Sequence, residues 1–167
     1  DMPEKFASVR RAEELWALTG GELVEHLRPN SCVIFVEAER VFVPVFTRGE
    51  ALPPQIPAGT ALVEWVAGSA DSRLVPRAGI KNADALSKAI LADLGTQVVF
   101  PIQRAGDLEA FVCIGEKRSG DIFTQTDLTL LTTVAKTLSS HMLRFDEAEL
   151  LDRARATQER MRRYVPG

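Results

Sequence analysis

Apolar residues near the start of the chain recur at helical spacing between charged ones. This spacing predicts an amphipathic helix that contains Phe6, Val9, Ala12, Leu15 and Trp16. We expect Thr19-Gly20-Gly21 to interrupt the helix, because neighbouring glycines weaken helical structure. Residues 22–27 then form another turn or two, and Pro29 ends the run.

Short, mostly β-branched runs follow and predict strands. Residues 31–37 and 41–46 are separated by three polar or small residues, which predicts a hairpin. Pro44 lacks a backbone N–H, so it favours an edge position for the second strand. Two later strands, 96–103 and 108–116, are joined by a turn that contains Gly106. The sheet is therefore expected to be mainly antiparallel.

Between these two hairpins the chain is rich in proline and glycine and has long loops. The pattern predicts a short helix over 60–67, a brief strand over 73–76 and another short helix that begins at Asn82 or Ala83. Leu86, Ile90 and Leu94 share one face of this second helix, and Gly95 is a good left-handed cap for its C-terminus.

The last predicted element is a long helix. Thr124 precedes Asp127 at capping-box spacing, and the next proline or glycine is Pro166. A helix of about 40 residues would be about 60 Å long, so its second half is expected to project from the domain. A first apolar seam is interpreted as domain core: Leu128, Leu131, Ala135, Leu138, Met142 and Phe145. A second seam, in a shifted register, is interpreted as a dimer contact: Leu150, Ala154, Thr157, Met161 and Tyr164.

Composition favours a single soluble domain. The chain has 167 residues, 46% of them hydrophobic, and a net charge of -3, which gives no basic surface for nucleic acid. No apolar run approaches the roughly 20 residues of a membrane helix, and the N-terminus lacks the features of a signal peptide. Cys32 and Cys113 lie inside apolar runs, which is typical of reduced, buried thiols. We therefore expect a cytoplasmic protein without nucleic-acid or membrane contact.

Catalytic and metal-binding patterns are not recognisable in the sequence. His26 and His141 are far apart, and the chain has neither a Cys-x-x-Cys pair nor a glycine-rich phosphate loop. Either cysteine is a conceivable attachment point for a tetrapyrrole, but buried inert thiols fit their strand positions better. We expect no catalytic residues, no metal site, no cofactor and no enzymatic activity in this chain.

Three large aromatic residues lie near the irregular middle of the chain and the strand ends that flank it. Phe46, Trp65 and Phe100 are candidate pocket-lining residues, because binding cavities tend to form in such places. The alternative is that these side chains are ordinary core.

Several ordered segments resemble bacterial GAF domains. The resemblance lies in residues 95–102, Gly106-Asp107, residues 114–120, residues 123–128 and, upstream, residues 56–66. It extends from Leu23 to about Phe145. The resemblance implies an α+β fold with a central antiparallel sheet of five or six strands, helices on one face and a small-molecule pocket on the other. It also implies a homodimer formed through the terminal helices. We expect residues 1–145 to form the sensory domain and residues 146–167 to form a projecting signalling helix, in which Leu150, Ala154 and Met161 make the dimer contact.

The end of the chain suggests what the domain regulates. Residues 162–167 after a charged helix resemble the junction before class III nucleotidyl cyclase domains, which implies a parent adenylate or guanylate cyclase. Residues 140–144, Ser-His-Met-Leu-Arg, partly resemble the phosphoacceptor helix of sensor histidine kinases, but Met142 replaces the acidic residue that usually follows the histidine. A domain that binds no ligand and acts as a dimerisation scaffold is the other alternative.

Overall fold

The computed structural model describes residues 2–140 and 154–155, with side chains described from residue 12. The chain forms four helices and six strands within the first of these ranges. In chain order they are α1 (Met2–Leu27), β1 (Cys32–Ala38), β2 (Val41–Arg48), β3 (Ile56–Pro57), α2 (Ala61–Ala67), β4 (Arg73–Leu74), α3 (Ala85–Asp93), β5 (Thr96–Arg104), β6 (Asp107–Gly115) and α4 (125–140).

The six strands form one antiparallel sheet in the order β3-β2-β1-β6-β5-β4. Glu39 and Arg40, between β1 and β2, have φ values of 52° and 66°; Ala105 and Gly106, between β5 and β6, have values of 54° and 84°. Positive φ at both central residues is typical of the type I′ turn, whose twist matches that of the strands it joins. Both predicted hairpins and the mainly antiparallel sheet are confirmed.

The two faces of the sheet carry separate cores, because successive strand residues point to opposite sides. Ile34, Phe100 and Val112 belong to a core shared with α1 and α4. Phe35 and Phe111 belong to a second core shared with α2 and α3. The predicted α+β fold class is confirmed, with the long helices α1 and α4 on one face and the short helices and loops on the other.

Helix α1 corrects the first sequence prediction. The expected interruption at Thr19-Gly20-Gly21 is wrong, since α1 is continuous over Met2–Leu27. Gly20 is buried, and a Cβ atom at this position would lie 2.5 Å from ring atoms of Phe46. Glycine therefore lets the helix approach the sheet closely. Burial of Leu23 and Leu27 in the same core outweighs the cost of glycine inside a helix, about 1 kcal/mol per residue.

Helices α2 and α3 begin side by side and share their caps. The Asp84 carboxylate accepts hydrogen bonds from the backbone N–H of Ser87, at 2.7 Å, and of Ala61, at 3.0 Å. The Ser87 hydroxyl accepts another from the backbone N–H of Leu62, at 3.0 Å. Hydrogen bonds from Ser87 and Ala61 lower the pKa of Asp84 below its usual value. Gly95 follows α3 with φ of +58°, as predicted for the cap.

The two edges of the sheet are short. β3 pairs only with Val41 and Phe42 of β2, so Pro44 lies where β2 is itself the edge, in agreement with the prediction. At the other side, β4 pairs only with Val98 and Val99 of β5. The predicted strand over 73–76 is thus present but ends at Leu74.

Helix α4 begins with the predicted capping box. The Asp127 carboxylate accepts from the Thr124 N–H at 2.9 Å, and the Thr124 hydroxyl accepts from the Asp127 N–H at 3.2 Å. Leu131, Ala135 and Leu138 are buried on the face of α4 that packs against the sheet, as the first seam predicts. Leu128 packs against the same core. The other two members of that seam lie outside the described residues, as does most of the second seam: Met142, Phe145, Leu150, Thr157, Met161 and Tyr164.

Candidate functional site

The sheet face under α2 and α3 is the face on which the sequence resemblance implies a pocket. Its centre is filled by Phe35, Phe42 and Phe111, each at most 1% exposed. The Phe35 and Phe111 rings stack with centroids 5.0 Å apart, and the Phe42 ring tilts against Phe111 at 5.2 Å. Space for a ligand on this side is therefore found at the periphery of the face.

One such space is a cleft of about 780 Å³ beside β4. It lies between the loop after β4, the outer side of α3, the start of β5 and the segment before α4, and we call it the edge cleft. Its apolar lining includes Leu74, Ile80, Leu91, Ile122 and Phe123, and its charged lining residues are Arg77 and Lys88.

The residues between α2 and β4, which we call the 68–72 segment, are hydrogen-bonded to α4. Ser72 is 8% exposed, and its hydroxyl donates to the backbone carbonyl of Leu128 at 2.6 Å. The Ser72 backbone N–H donates to the Thr132 hydroxyl at 3.1 Å, and the two hydroxyl groups lie 3.0 Å apart. The segment that leaves α2 on one face of the sheet is thus bound to the helix on the other face.

A second set of contacts extends this connection at both ends. The Arg73 guanidinium lies 3.9 Å from the centroid of the Trp65 ring in α2 and donates to the Trp65 backbone carbonyl. At the other end, the Ser139 hydroxyl of α4 donates to the Gln103 carbonyl of β5, and the Gln103 side chain donates to the Ser69 carbonyl at 3.5 Å. Helix α2, the 68–72 segment and helix α4 are consequently linked by side-chain contacts around β5.

An ion pair fixes the start of α4. The Lys117 ammonium, just after β6, lies 2.8 Å from the Asp127 carboxylate and 5.1 Å from the centroid of the Phe123 ring. Partial burial disfavours ionisation of Asp127, but the hydrogen bonds from Lys117 and Thr124 outweigh it and lower the pKa of Asp127. Since Phe123 also lines the edge cleft, this cleft adjoins the first turn of α4.

The two cysteines belong to opposite cores. Cys32 lies in the core under α1 and α4, and Cys113 in the core under α2 and α3. Burial raises the pKa of each thiol to about 12. Their nucleophilic thiolate forms are therefore negligible near neutral pH.

No protein-family model matches the sequence, and no curated protein is significantly similar to it. Solved structures are similar in fold. The blue-light absorbing form of the PixJ GAF domain from Thermosynechococcus elongatus matches with a TM-score of 0.65 and 13% sequence identity, over 92% of this chain and 96% of that one. The GAF domain of a phosphoenolpyruvate-protein phosphotransferase from Coxiella burnetii matches with a TM-score of 0.64 and 16% identity, over 83% and 86%. This chain has the GAF fold. A type II free methionine-R-sulfoxide reductase from Thermoplasma acidophilum also matches, with a TM-score of 0.59 and 14% identity, over 81% and 95%.

The GAF fold separates the three aromatic residues proposed as pocket lining. Phe100 is fully buried under α1 and α4, and Phe46 packs against the same core. Trp65 packs on the opposite face, where Arg73 covers its ring. The structure therefore does not bring the three together, and contact of any of them with a ligand stays a prediction.

The other predicted residues are only partly described. Ala154 is helical and exposed, while Leu150 and Met161 of the predicted dimer seam lie outside the described residues, as does His141. His26 is exposed and lies 3.1 Å from Glu22. Within the described ranges, no three metal-binding side chains cluster, and no helix is long and apolar enough to cross a membrane.

No sequence pattern predicts the residues that connect the parts of this GAF fold. Ser72 and Thr132 are 60 positions apart, and each is an ordinary polar residue in its own local pattern. Arg77 and Lys88 come from a loop and a helix, so no spacing rule relates them. The one local signal among these contacts is the capping-box spacing of Thr124 and Asp127.

Proposed function

We propose that this chain is the sensory or regulatory domain of a signal-transduction protein. In this proposal it is not itself an enzyme, it forms a homodimer through its terminal helices, and α4 carries a ligand- or partner-induced change to a nucleotidyl cyclase output domain. The GAF fold and the cyclase-like residues 162–167 support this proposal. The observation that carries it is the attachment of the 68–72 segment to α4 through Ser72.

This attachment supports signalling because it joins the two parts that a sensor must couple. A displacement of α2 or of the loop after β4 would move Ser72, which is hydrogen-bonded to Leu128 and Thr132 of α4. Ser72 is buried and Thr132 is half-buried, so breaking the contact leaves partly desolvated polar groups without partners, at a cost of about 1–3 kcal/mol. Movement of α4 together with the segment avoids that cost.

Two adjacent threonines of α4 allow a matched test. Thr132→Ala removes the hydroxyl that contacts Ser72, whereas Thr133→Ala removes an exposed hydroxyl that donates only to Thr129 of its own helix among the bonds described. Both changes have the same intrinsic effect on helix formation. We expect Thr132→Ala to increase amide hydrogen exchange in α4 and in residues 68–75 at least about fivefold, with Thr133→Ala close to wild type. Equal exchange in the two variants would remove the support for coupling through this contact.

A ligand-free dimerisation scaffold is the second candidate, and a specific observation favours it. The aromatic packing of Phe35, Phe42 and Phe111 fills the centre of the face on which the resemblance implies a pocket. The two candidates differ in their response to small molecules. A ligand at 100 times its dissociation constant stabilises the fold by about 2.7 kcal/mol, which a thermal-shift screen detects. A scaffold gives no such shift.

Two other roles have weaker support. The histidine-kinase alternative rests only on residues 140–144 of the sequence. One solved structure with a similar fold is a methionine sulfoxide reductase, which raises the question of a thiol-based activity. Such an activity would need an accessible thiolate. Cys32 and Cys113 are at most 1% exposed, so they do not supply one.

A further inference from the structure

We propose that the edge cleft binds a small amphipathic anion, with one carboxylate or similar head group on an apolar body. Its volume of about 780 Å³ is within the range usual for small-molecule sites. Two of its apolar lining residues are unusually open to solvent: Ile122 is 79% exposed and Leu74 is 50% exposed. A ligand body that covers them would remove apolar surface from water, which favours binding.

The charges of the cleft favour a ligand with an anionic head group. Arg77 and Lys88 line it from different elements, and in the part of the chain that the structure describes the lining contains no aspartate or glutamate. The chain as a whole has a net charge of -3, so a cleft with two cations and no acidic residue differs in sign from the average surface. Such a local field attracts anions, and the guanidinium of Arg77 is suited to a planar carboxylate.

One residue of the cleft lining has a buried hydroxyl. Thr96 lines it and is 8% exposed, and its hydroxyl has no oxygen or nitrogen partner among the described residues. Its polar neighbour is the thiol of Cys113, which is a weak hydrogen-bonding group. The Thr96 oxygen itself is inaccessible to solvent, so a ligand oxygen would become its partner only if the cleft lining shifted.

The position of the cleft gives binding a consequence, and this step rests on the proposed signalling function. Ile122 and Phe123 lie directly before Thr124, the residue that caps α4. Phe123 is also covered by Lys117, which pairs with Asp127 in the first turn. An occupant of the cleft would therefore contact the segment that sets the start of the output helix.

The test uses the full chain and calorimetric titration with octanoate and 3-phenylpropionate. Acetate supplies a carboxylate without a body, and 1-octanol supplies a body without a charge. We expect saturable binding of at least one amphipathic acid, and weaker binding of acetate and 1-octanol. Affinity should rise with chain length by up to about fourfold per CH₂ group.

Substitutions of lining residues test whether the acids bind in the edge cleft. Arg77→Gln and Lys88→Gln should each weaken binding about five- to tenfold, and Ile122→Ala should also weaken it. Lys136→Gln is the matched control, because Lys136 is an exposed lysine of α4, which packs on the other face of the sheet. Arg77, Lys88 and Ile122 are exposed, so these changes should leave the fold intact, as far-ultraviolet circular dichroism can verify.

The proposal is overturned if neither acid binds saturably, if 1-octanol binds as tightly as octanoate, or if Arg77→Gln and Lys88→Gln bind like Lys136→Gln. The signalling function fails separately. If an acid binds but leaves hydrogen exchange in α4 unchanged, the site stands and its regulatory consequence does not. If no acid binds but Thr132→Ala alters exchange in α4, the coupling stands without this ligand.

Discussion

Gly20 and Gly21 are neighbours in α1 with opposite surroundings. A Cβ atom at Gly20 would meet the Phe46 ring at 2.5 Å, whereas a Cβ atom at Gly21 would meet nothing within 4 Å. The first glycine is required by helix-to-sheet packing. The second has no such requirement and only weakens the helix.

This difference predicts opposite effects of the same substitution. Gly20→Ala should reduce the free energy of unfolding by about 1–3 kcal/mol, because overpacking against Phe46 outweighs the better helix propensity of alanine. Gly21→Ala should raise it by up to about 1 kcal/mol. Urea denaturation of both variants measures the effects. Similar stability changes in the two would mean that Phe46 moves aside at little cost.

The cysteines predict a loss of stability at alkaline pH. Burial raises the pKa of both thiols from 9.0 to about 12, so the folded state holds their protons more tightly than the unfolded state. Their contribution is complete below pH 9 and is lost progressively as the pH rises from 9 towards 12. A Cys32→Ala/Cys113→Ala variant should therefore show a shallower fall in unfolding free energy over this range than wild type. Parallel pH profiles would contradict the prediction.

At the scale of elements, the first turn of α4 combines a capping box with an ion pair. The Asp127 carboxylate accepts from both Thr124 and Lys117, which precede the helix in the chain. Its side chain is 20% exposed and that of Lys117 is 16% exposed, so solvent screening reduces the pair only in part.

Asp127→Asn is expected to reduce the free energy of unfolding by about 1–2 kcal/mol at pH 7, because it leaves Lys117 without its counter-charge. The pKa of Asp127 is lowered in the folded state, so its contribution is present above the usual pKa of 3.8 and is lost as the pH falls below it. The difference between wild type and variant should therefore shrink on acidification. Asp121→Asn, at an exposed aspartate in the preceding loop, is the control and should change stability by less than about 0.5 kcal/mol.

Local signals in the sequence predicted most elements. The hairpins, the Thr60–Ala67 helix, Gly95 and the Thr124–Asp127 capping box each depend on residues within a few positions of one another, and all are present. The helix interruption predicted at Gly20 is wrong because local signals alone do not show what the glycine packs against. A glycine pair looks like a helix break unless the ring opposite it is known, and Phe46 is 26 positions away.

At the scale of the whole molecule, the candidate site depends on contacts that no local pattern contains. The edge cleft is formed by four separate parts of the chain, and the Ser72 contact joins residues about 60 positions apart. The three aromatic residues predicted as pocket lining lie apart because Phe46 and Phe100 point to the α1 side of the sheet, whereas Trp65 packs on the opposite side. Predicting the site would have required the register of the sheet as well as its strands.

The proposed homodimer is also tested at the scale of the whole chain. We expect the 167-residue chain to sediment as a homodimer, and a version that ends at Phe145 to associate more weakly, because it lacks the second seam of Leu150, Ala154 and Met161. Analytical ultracentrifugation over a range of concentrations compares the two. Monomers in both cases at high concentration would remove the basis for signalling through a helical dimer.

The bonds from Ser72 also limit how α4 can move. They reach the Leu128 carbonyl and the Thr132 hydroxyl, which are one helical turn apart. A slide of α4 along its axis by one turn, about 5.4 Å, would place Leu128 or Lys136 where Thr132 now lies. Neither side chain can take the place of that hydroxyl as an acceptor for the Ser72 N–H. The 68–72 segment therefore opposes a slide of α4 by one turn, because such a slide would break the bonds of Ser72. Tilting or rotation of the segment and the helix as one body would keep these bonds.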